Sequence, residues 1–383
     1  MSYFLTEEQE LIKNSVRDFC QNPDTLKMVM NAYQRGGFPM DCWQAAANMG
    51  FIGVSIPEEY GGQGHNLTTE LLVLEEMGKN GFPMGGAIVA HNLGMLAIYY
   101  WGTEEQKQKY LVPAAAGKTI CCGAFTDPSG SFNFPEWGMN ITEDGDDYIV
   151  NATKVMVTNA VLSEIKIVFG NNTKLGDSDH AYIVEKGMEG VSGQAEQKLV
   201  PDLADWGTVN LKNVRVPKSN RLDGSKCEVP WLYLGFLTTA VLSHSLGQIG
   251  FGKTLAFTKQ RTRYGKPLTD LQAISHRLVN MAISNETSRS LIYNAARLWD
   301  EGRYEESARL CSMAKVYVTE SANKTLHDAT ILHGGVGFTP APRVGMMWAS
   351  SIQLEIAEGP TDLHRDLVAE SYGIKAGWKD GRP

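Results

Sequence analysis

Apolar positions along the chain change period twice. From Glu7 onward they recur at helical spacing, with Leu11, Ile12, Val16 and Phe19 on one face. Thr6-Glu7-Glu8-Gln9 ahead of them is a capping-box pattern, in which the Thr6 hydroxyl accepts from an orphan amide and the Gln9 side chain reaches back. A second helix is predicted through Thr69 to Met77, stopping near Gly78, Gly81 and Pro83, and a third leading to Trp101-Gly102. The capping pattern returns at Thr103-Glu104-Glu105-Gln106, while the Pro and Gly content of Ile56 to Gly62 reads as a loop.

Near residue 121 the helical period gives way to short β-branched runs: Tyr148 to Val150, Lys154 to Thr158, Glu164 to Phe169, Ala181 to Val184 and Val209 to Val216. Turn residues such as Gly145-Asp146-Asp147 separate them, so a small antiparallel barrel or sandwich is predicted. Helical periodicity resumes after Pro230, with helices predicted at 231–262, 269–302, 304–333 and 357–373. The fold class is therefore α+β and multidomain. It comprises an N-terminal α-helical domain at 1–120, a central small β-barrel at 121–225 and a C-terminal four-helix bundle at 226–383.

Composition narrows the function. A chain of 383 residues, 43% apolar and 20% charged, is too long for one ordinary core and too apolar for disorder. A formal net charge of −8 with no long basic stretch argues against nucleic acid as a partner. The most apolar stretch, Leu232 to Ile249, carries Thr238, Thr239, Ser243, His244, Ser245 and Gln248, and reads as a buried helix and not a membrane span. No basic segment leads into an apolar one at the start, so no secretory signal is expected. Six scattered cysteines form neither a metal-ligand spacing nor a disulfide framework, which favours reduced thiols in the cytoplasm and no metal site. No Gly-x-Gly-x-x-Gly joins a strand to a helix, and no Walker or zinc signature is present.

A series of local segments carries a sharper signal. Pro57-Glu58-Glu59-Tyr60-Gly61-Gly62 is similar to a "PEEYGG" loop, Phe125-Thr126-Asp127-Pro128 to a "TEP" segment, and Asn151 to Ala160 to "NGxKxWITNA". Val214-Arg215-Val216-Pro217 is similar to a "DVxVP" strand, and Arg261 through Tyr264-Gly265 to Gln272 fits "RxxFG…Q" with its spacing intact. His333 to Phe338 is similar to "HGGxGF", and Glu358-Gly359 falls where "EGT" would stand. In this order and at these separations the chain resembles the acyl-CoA dehydrogenases over essentially its whole length.

That resemblance implies FAD-dependent α,β-dehydrogenation of an acyl-CoA thioester, with electrons passed to an electron-transferring flavoprotein by a homotetramer. The α-proton of a thioester is weakly acidic, so the base must be poorly solvated and the enolate-like oxygen stabilised. Glu358 is the candidate base, its own N–H one of the donors to the thioester carbonyl. A Glu capped or salt-bridged by Arg365 is the structural alternative. A subset of the family carries its base on an earlier helix; here that position is Gly235, followed by Phe236 where an Arg would stand. Phe125, Thr126, Met156 and Thr158 match flavin contacts, Met156 standing where a Trp usually covers the ring; Ser131 joins them if it aligns with the family's serine after a deletion, the alternative being that Phe132 holds that position. Arg261, Tyr264, Gln272, Gly334 and Gly335 match contacts that a partner subunit makes to the cofactor's pyrophosphate region.

Gly359 and Arg365 join the substrate set. His91 is either a reader of a polar acyl group or a satisfied core histidine. Further departures are Ser129 to Asn133 in place of "GAGSD", Ile331 for a Gln, Ala349-Ser350 for "RD", and Pro360 and Asp362 in place of Thr and Gln. Gly359 to His364 is similar to the "DGPDEVH" variant of some relatives. An enoyl-CoA reductase running in reverse, a relative that uses oxygen or eliminates a group, and one subunit of a heteromeric dehydrogenase are the alternative functions.

Overall fold

Both capping boxes form. In the computed structural model, which describes residues 5–130, 137–172, 177–200, 203–225 and 227–375, the Thr6 amide donates to Gln9 Oε1 at 3.1 Å and the Gln9 amide to Thr6 Oγ1 at 3.2 Å. The same reciprocal pair at Thr103 and Gln106 measures 2.8 and 3.3 Å. Each satisfies orphan amides that a helix start otherwise leaves to water.

The helices preceding the strands are α1 (Glu7–Gln21), α2 (Pro23–Arg35), α3 (Met40–Asn48), α4 (Leu67–Lys79), α5 (Gly85–Trp101) and two short pieces, α6 (Glu104–Gln106) and α7 (Val112–Ala115), flanking a π-helical stretch at Lys107–Leu111. α4 ends at Lys79, between Gly78 and Gly81 where the sequence places its stop, and Gly78 itself lies in the last turn. A Cβ at Gly78 would sit 2.6 Å from Ser245 Cβ, so the glycine also serves close helix approach.

Strands β1 (Cys121–Ala124), β2 (Asn140–Asp144), β3 (Asp147–Thr158), β4 (Ile165–Asn172), β5 (Asp177–Glu185), β6 (Val191–Ala195), β7 (Trp206–Pro217) and β8 (Arg221–Asp223) make two four-stranded sheets, ordered β1-β4-β5-β8 and β2-β3-β7-β6. Their facing sides share one core that includes Cys122, Val150, Val168, Tyr182, Val209 and Val214. The two predicted strands at 148–150 and 154–158 are one strand, β3, interrupted by register shifts between Val150 and Ala152 and between Lys154 and Val157. One pairing departs from the antiparallel expectation: β1 lies parallel to β4, Cys121 opposite Ile165.

After the sheets come α8 (Tyr233–Gln260), a two-residue-per-strand hairpin of β9 (Thr262–Arg263) and β10 (Lys266–Pro267), then α9 (Gln272–Asp300), α10 (Tyr304–His333), α11 (Val344–Ile356) and α12 (Thr361–Ser371). α10 packs against α8, α9, α11 and α12. The last predicted helix starts at Thr361 and not at residue 357, because Glu358 and Gly359 have φ of +54° and +88°, which no helix accepts. α11 was not predicted.

The chain divides into two contact units, one of Met1–Arg17, Leu71–Phe82 and Leu232–Pro383, the other of Asp18–Glu70 and Pro83–Trp231. Among the described residues no helix is long and apolar enough to cross a membrane, and no group of His, Cys, Asp or Glu is arranged to hold a metal ion.

Candidate active site

Glu358 sits on the turn between α11 and α12, half-buried. Its positive φ is uncommon for a residue with a side chain, and such conformations persist where surrounding structure enforces them. His364 on α12 is one enforcing contact: its Nε2–H donates to the Glu358 carbonyl at 2.9 Å, while its ring packs edge-on against Phe236, centroids 4.4 Å apart. Burial first, then the charge of Lys315, holds His364 down to about 4, so it is a neutral donor at physiological pH. The Glu358 carboxylate lies against Gly235 on α8, where a Cβ would come within 3.0 Å of Oε2. The position at which part of the family carries its base is thus backbone in contact with Glu358.

Burial pushes the Glu358 carboxyl above its ordinary range, and Lys315 on α10 pulls it partly back. The Glu358 amide donates to no acceptor among the described residues. A half-buried carboxylate of raised basicity therefore stands beside an unspent backbone donor, the pair that proton removal next to a carbonyl requires. Arg365 does not bridge Glu358. Its guanidinium makes two 2.8 Å bonds to Glu320 and a third, at 3.3 Å, to Asp362, on an exposed surface.

At the far ends of α8 and α10 the predicted pyrophosphate residues gather. Phe257 stacks on His333 with centroids 4.4 Å apart, one turn before Arg261 and immediately before Gly334. Arg261 caps α8, the Leu268 amide returns to its carbonyl at 2.8 Å, and Gln272 opens α9. Tyr264 is 90% exposed at the hairpin tip, and Gly334 and Gly335 are exposed with no atom near their missing Cβ. The Arg261 side chain engages no carboxylate among the described residues.

The predicted flavin-edge residues form a platform in the other unit. The Val155 amide donates to Thr126 O at 2.9 Å, tying the Phe125-Thr126 segment to the β3 bulge, where Met156 has φ +58° and is 56% exposed. Beneath it Lys154 is buried, donating to Phe125 O at 3.0 Å, 3.8 Å from Asp127 and 4.0 Å from the Trp137 ring centre. Thr126 and Thr158 are half-buried, and no described residue takes up either hydroxyl. Ser131 lies outside the described residues.

His91 is the core residue of its two readings. The Cys121 amide donates to its Nδ1 at 2.9 Å and its Nε2–H to Ala114 O at 3.1 Å, so neither ring nitrogen is left for a ligand. Burial holds it at about 4. Lys315 was missed from the sequence. The signal was there, a lysine within the buried stripe Cys311, Ala314, Val318 and Ala322 of α10.

The family model for the acyl-CoA dehydrogenase N-terminal domain matches residues 6–118, and that for the C-terminal domain matches 232–373. The chain is 30% identical over 381 residues to the probable acyl-CoA dehydrogenase YngJ of Bacillus subtilis, covering 96% of this chain and 99% of that one. It is 28% identical over 374 residues to the caffeyl-CoA reductase-Etf complex subunit CarC of Acetobacterium woodii, covering 96% and 98%. The structure of butyryl-CoA dehydrogenase from Megasphaera elsdenii matches with a TM-score of 0.88 at 25% identity, over 97% of this chain and 100% of that one. The chain belongs to the acyl-CoA dehydrogenase family, oxidoreductases that act on CH–CH bonds. The family binds FAD.

Proposed function

We propose that this chain is an acyl-CoA dehydrogenase in which Glu358 removes the α-proton of a CoA thioester. The observation that carries this reading is the Glu358 turn: a carboxylate of raised basicity against Gly235, held by His364, with a free amide beside it. The amide of Glu358 takes the developing negative charge of the thioester oxygen, and the half-buried pocket keeps water from solvating the carboxylate. FAD, when bound, supplies the two-electron acceptor for the hydride that leaves the β-carbon.

The residues fit that cofactor. Thr126 and Thr158 offer unspent hydroxyls at the platform, Met156 an apolar cover. Arg261 offers a planar fork suited to phosphate beside Gln272 and the open Gly334-Gly335 backbone. Gly359 is buried next to the base and lines the acyl site. Arg365, spent on Glu320, drops from the substrate set unless that ion pair opens.

The segments 1–120, 121–225 and 226–383 are its three domains, and the working form is a cytoplasmic homotetramer in which Arg261, Tyr264, Gln272, Gly334 and Gly335 complete a neighbour's cofactor site. Electrons pass to an electron-transferring flavoprotein. The Etf-complex name of the Acetobacterium relative supports that partner and also supports the second reading, an enoyl-CoA reductase using the same residues in reverse.

The test is a visible spectrum of the purified protein during anaerobic addition of a panel of acyl-CoA thioesters, wild type beside Glu358→Gln. Bleaching by one thioester in wild type, with flavin retained but unbleached in Glu358→Gln, is the expected outcome. Near-normal bleaching by the variant would remove Glu358 from the mechanism. A protein that will not take up FAD would shift the reading to one subunit of a heteromeric enzyme.

A further inference from the structure

The side chain of Lys315 is fully buried in α10, and burying an ammonium is costly unless anions and acceptors compensate. Its Nζ donates to the Glu355 carbonyl at 3.1 Å, in the last turn of α11 and three residues before the candidate base. Its ionisable surroundings are Glu358 on the turn, Glu355 on α11 and Glu320 on α10 itself, with the neutral His364 facing it from α12. α8 and α9 contribute none among the described residues. Arg365 already holds Glu320 with two 2.8 Å bonds; of the remaining carboxylates, Glu358 acts on Lys315 more strongly than Glu355, through space and not through a direct ion pair.

We propose that Lys315 is a positioning residue for the base: tied to the Glu355 carbonyl, its ammonium anchors the turn carrying Glu358 and keeps that carboxylate ionised inside an apolar surround. This rests on Glu358 being the base. The two groups compensate each other. Burial drives the carboxyl towards its neutral form and pulls the ammonium down, to about 8 even with the neighbouring carboxylates raising it, so each charge opposes that drift in the other. A base that must be poorly solvated, yet deprotonated before substrate arrives, needs such a partner. A lysine buried behind the turn supplies it without occupying the space in front of the carboxylate.

The experiment is an infrared difference titration of the protonated-carboxyl band on holoenzyme, with Glu358→Gln identifying the Glu358 signal. It is run on wild type, Lys315→Met and Lys315→Arg. Removing the ammonium raises the Glu358 midpoint by about one pH unit or more, and the acid limb of the anaerobic flavin-reduction rate moves with it; Lys315→Arg restores most of the shift. An unchanged midpoint in a folded, flavin-loaded Lys315→Met overturns the proposal.

Should that variant not fold, the reciprocal measurement decides. Because the folded Lys315 titrates near 8 and an unfolded lysine near 10.5, wild-type thermal stability rises with pH between those values. In Glu358→Gln the rise begins about one unit lower if the pair is coupled, and at the same pH if it is not. These outcomes are independent of whether Glu358→Gln still bleaches with thioester. Failure of Lys315 coupling is therefore distinct from failure of Glu358 as base.

Discussion

Gly235→Ala adds one methyl group to the first turn of α8, and the geometry says where it goes. Its carbon would stand 3.0 Å from Glu358 Oε2 and 3.4 Å from Cδ, closer than ordinary van der Waals contact with the oxygen. Either the carboxylate retreats by a few tenths of an ångström or the turn shifts, and the turn is pinned by the His364 bond to the Glu358 carbonyl. Helix propensity works the other way, since Ala is favoured over Gly by up to about 1 kcal/mol. Stability should therefore hold or rise slightly while the base is misplaced. Displacing a reacting group by about 1 Å costs on the order of a hundredfold, so a few tenths should slow proton removal on the order of tenfold. Stopped-flow bleaching of bound flavin under saturating thioester reads the rate, and flavin content and Tm are measured on the same preparation. A rate within about twofold of wild type would refute the contact. A rate loss accompanied by falling Tm would refute the reasoning as well, by tracing the effect to packing.

Other expectations follow from the same structure. Arg261→Ala should weaken FAD retention on the order of tenfold or more with little change in Tm, read as the flavin-to-protein absorbance ratio after gel filtration; full occupancy would free Arg261 of its cofactor role. Native mass of the holoenzyme should exceed that of one chain, and a strictly monomeric, fully flavinylated species would contradict the shared site. Burial holds His91, His244 and His364 each at about 4 against an ordinary 6.5. The unfolded chain then binds more protons between pH 6.5 and 4, so stability is full above 6.5 and falls as pH drops, by about 3 kcal/mol per histidine. His244→Asn should flatten the fall of unfolding free energy with pH, and an identical slope would show that His244 does not titrate.

What the sequence made legible was what is local. Thr6 with Gln9 and Thr103 with Gln106 are capping boxes because the partners lie within one turn. α2 and α3 escaped because α2 exposes Leu26, Met30 and Tyr33, which leaves no single apolar face to recognise. α11 escaped for a similar reason, with only Val344 and Ser351 buried and Ile352 and Ile356 facing outward. β3 was divided in two because its bulges break the alternation of inward and outward residues. The parallel pairing of β1 with β4 is a long-range choice that no local period encodes.

At the candidate site, family-like motifs singled out Glu358, Gly235 and Arg261 as residues to examine. Of their surroundings, the His364 bond to Glu358 is local, but the Gly235 contact and buried Lys315 come from α8 and α10, elements far from the turn in the chain. A ring as well satisfied as that of His91 and one poised for a ligand look alike in sequence, since the carbonyl and amide that occupy it belong to other elements.

The unit that contains Glu358 is assembled from three separate stretches of chain. The second half of α4, residues 71–79, belongs to it, yet its partners Arg289 and Tyr293, which meet Glu75, are translated more than two hundred residues later. At 5–20 residues per second the helix waits roughly ten to forty seconds on the ribosome for them. The acids that end up buried there, Glu75 and Glu76, are charged and hydrated throughout that interval. Through that interval they break up the otherwise apolar run of Leu71, Leu72, Val73, Leu74 and Met77, which has no partner yet to cover it.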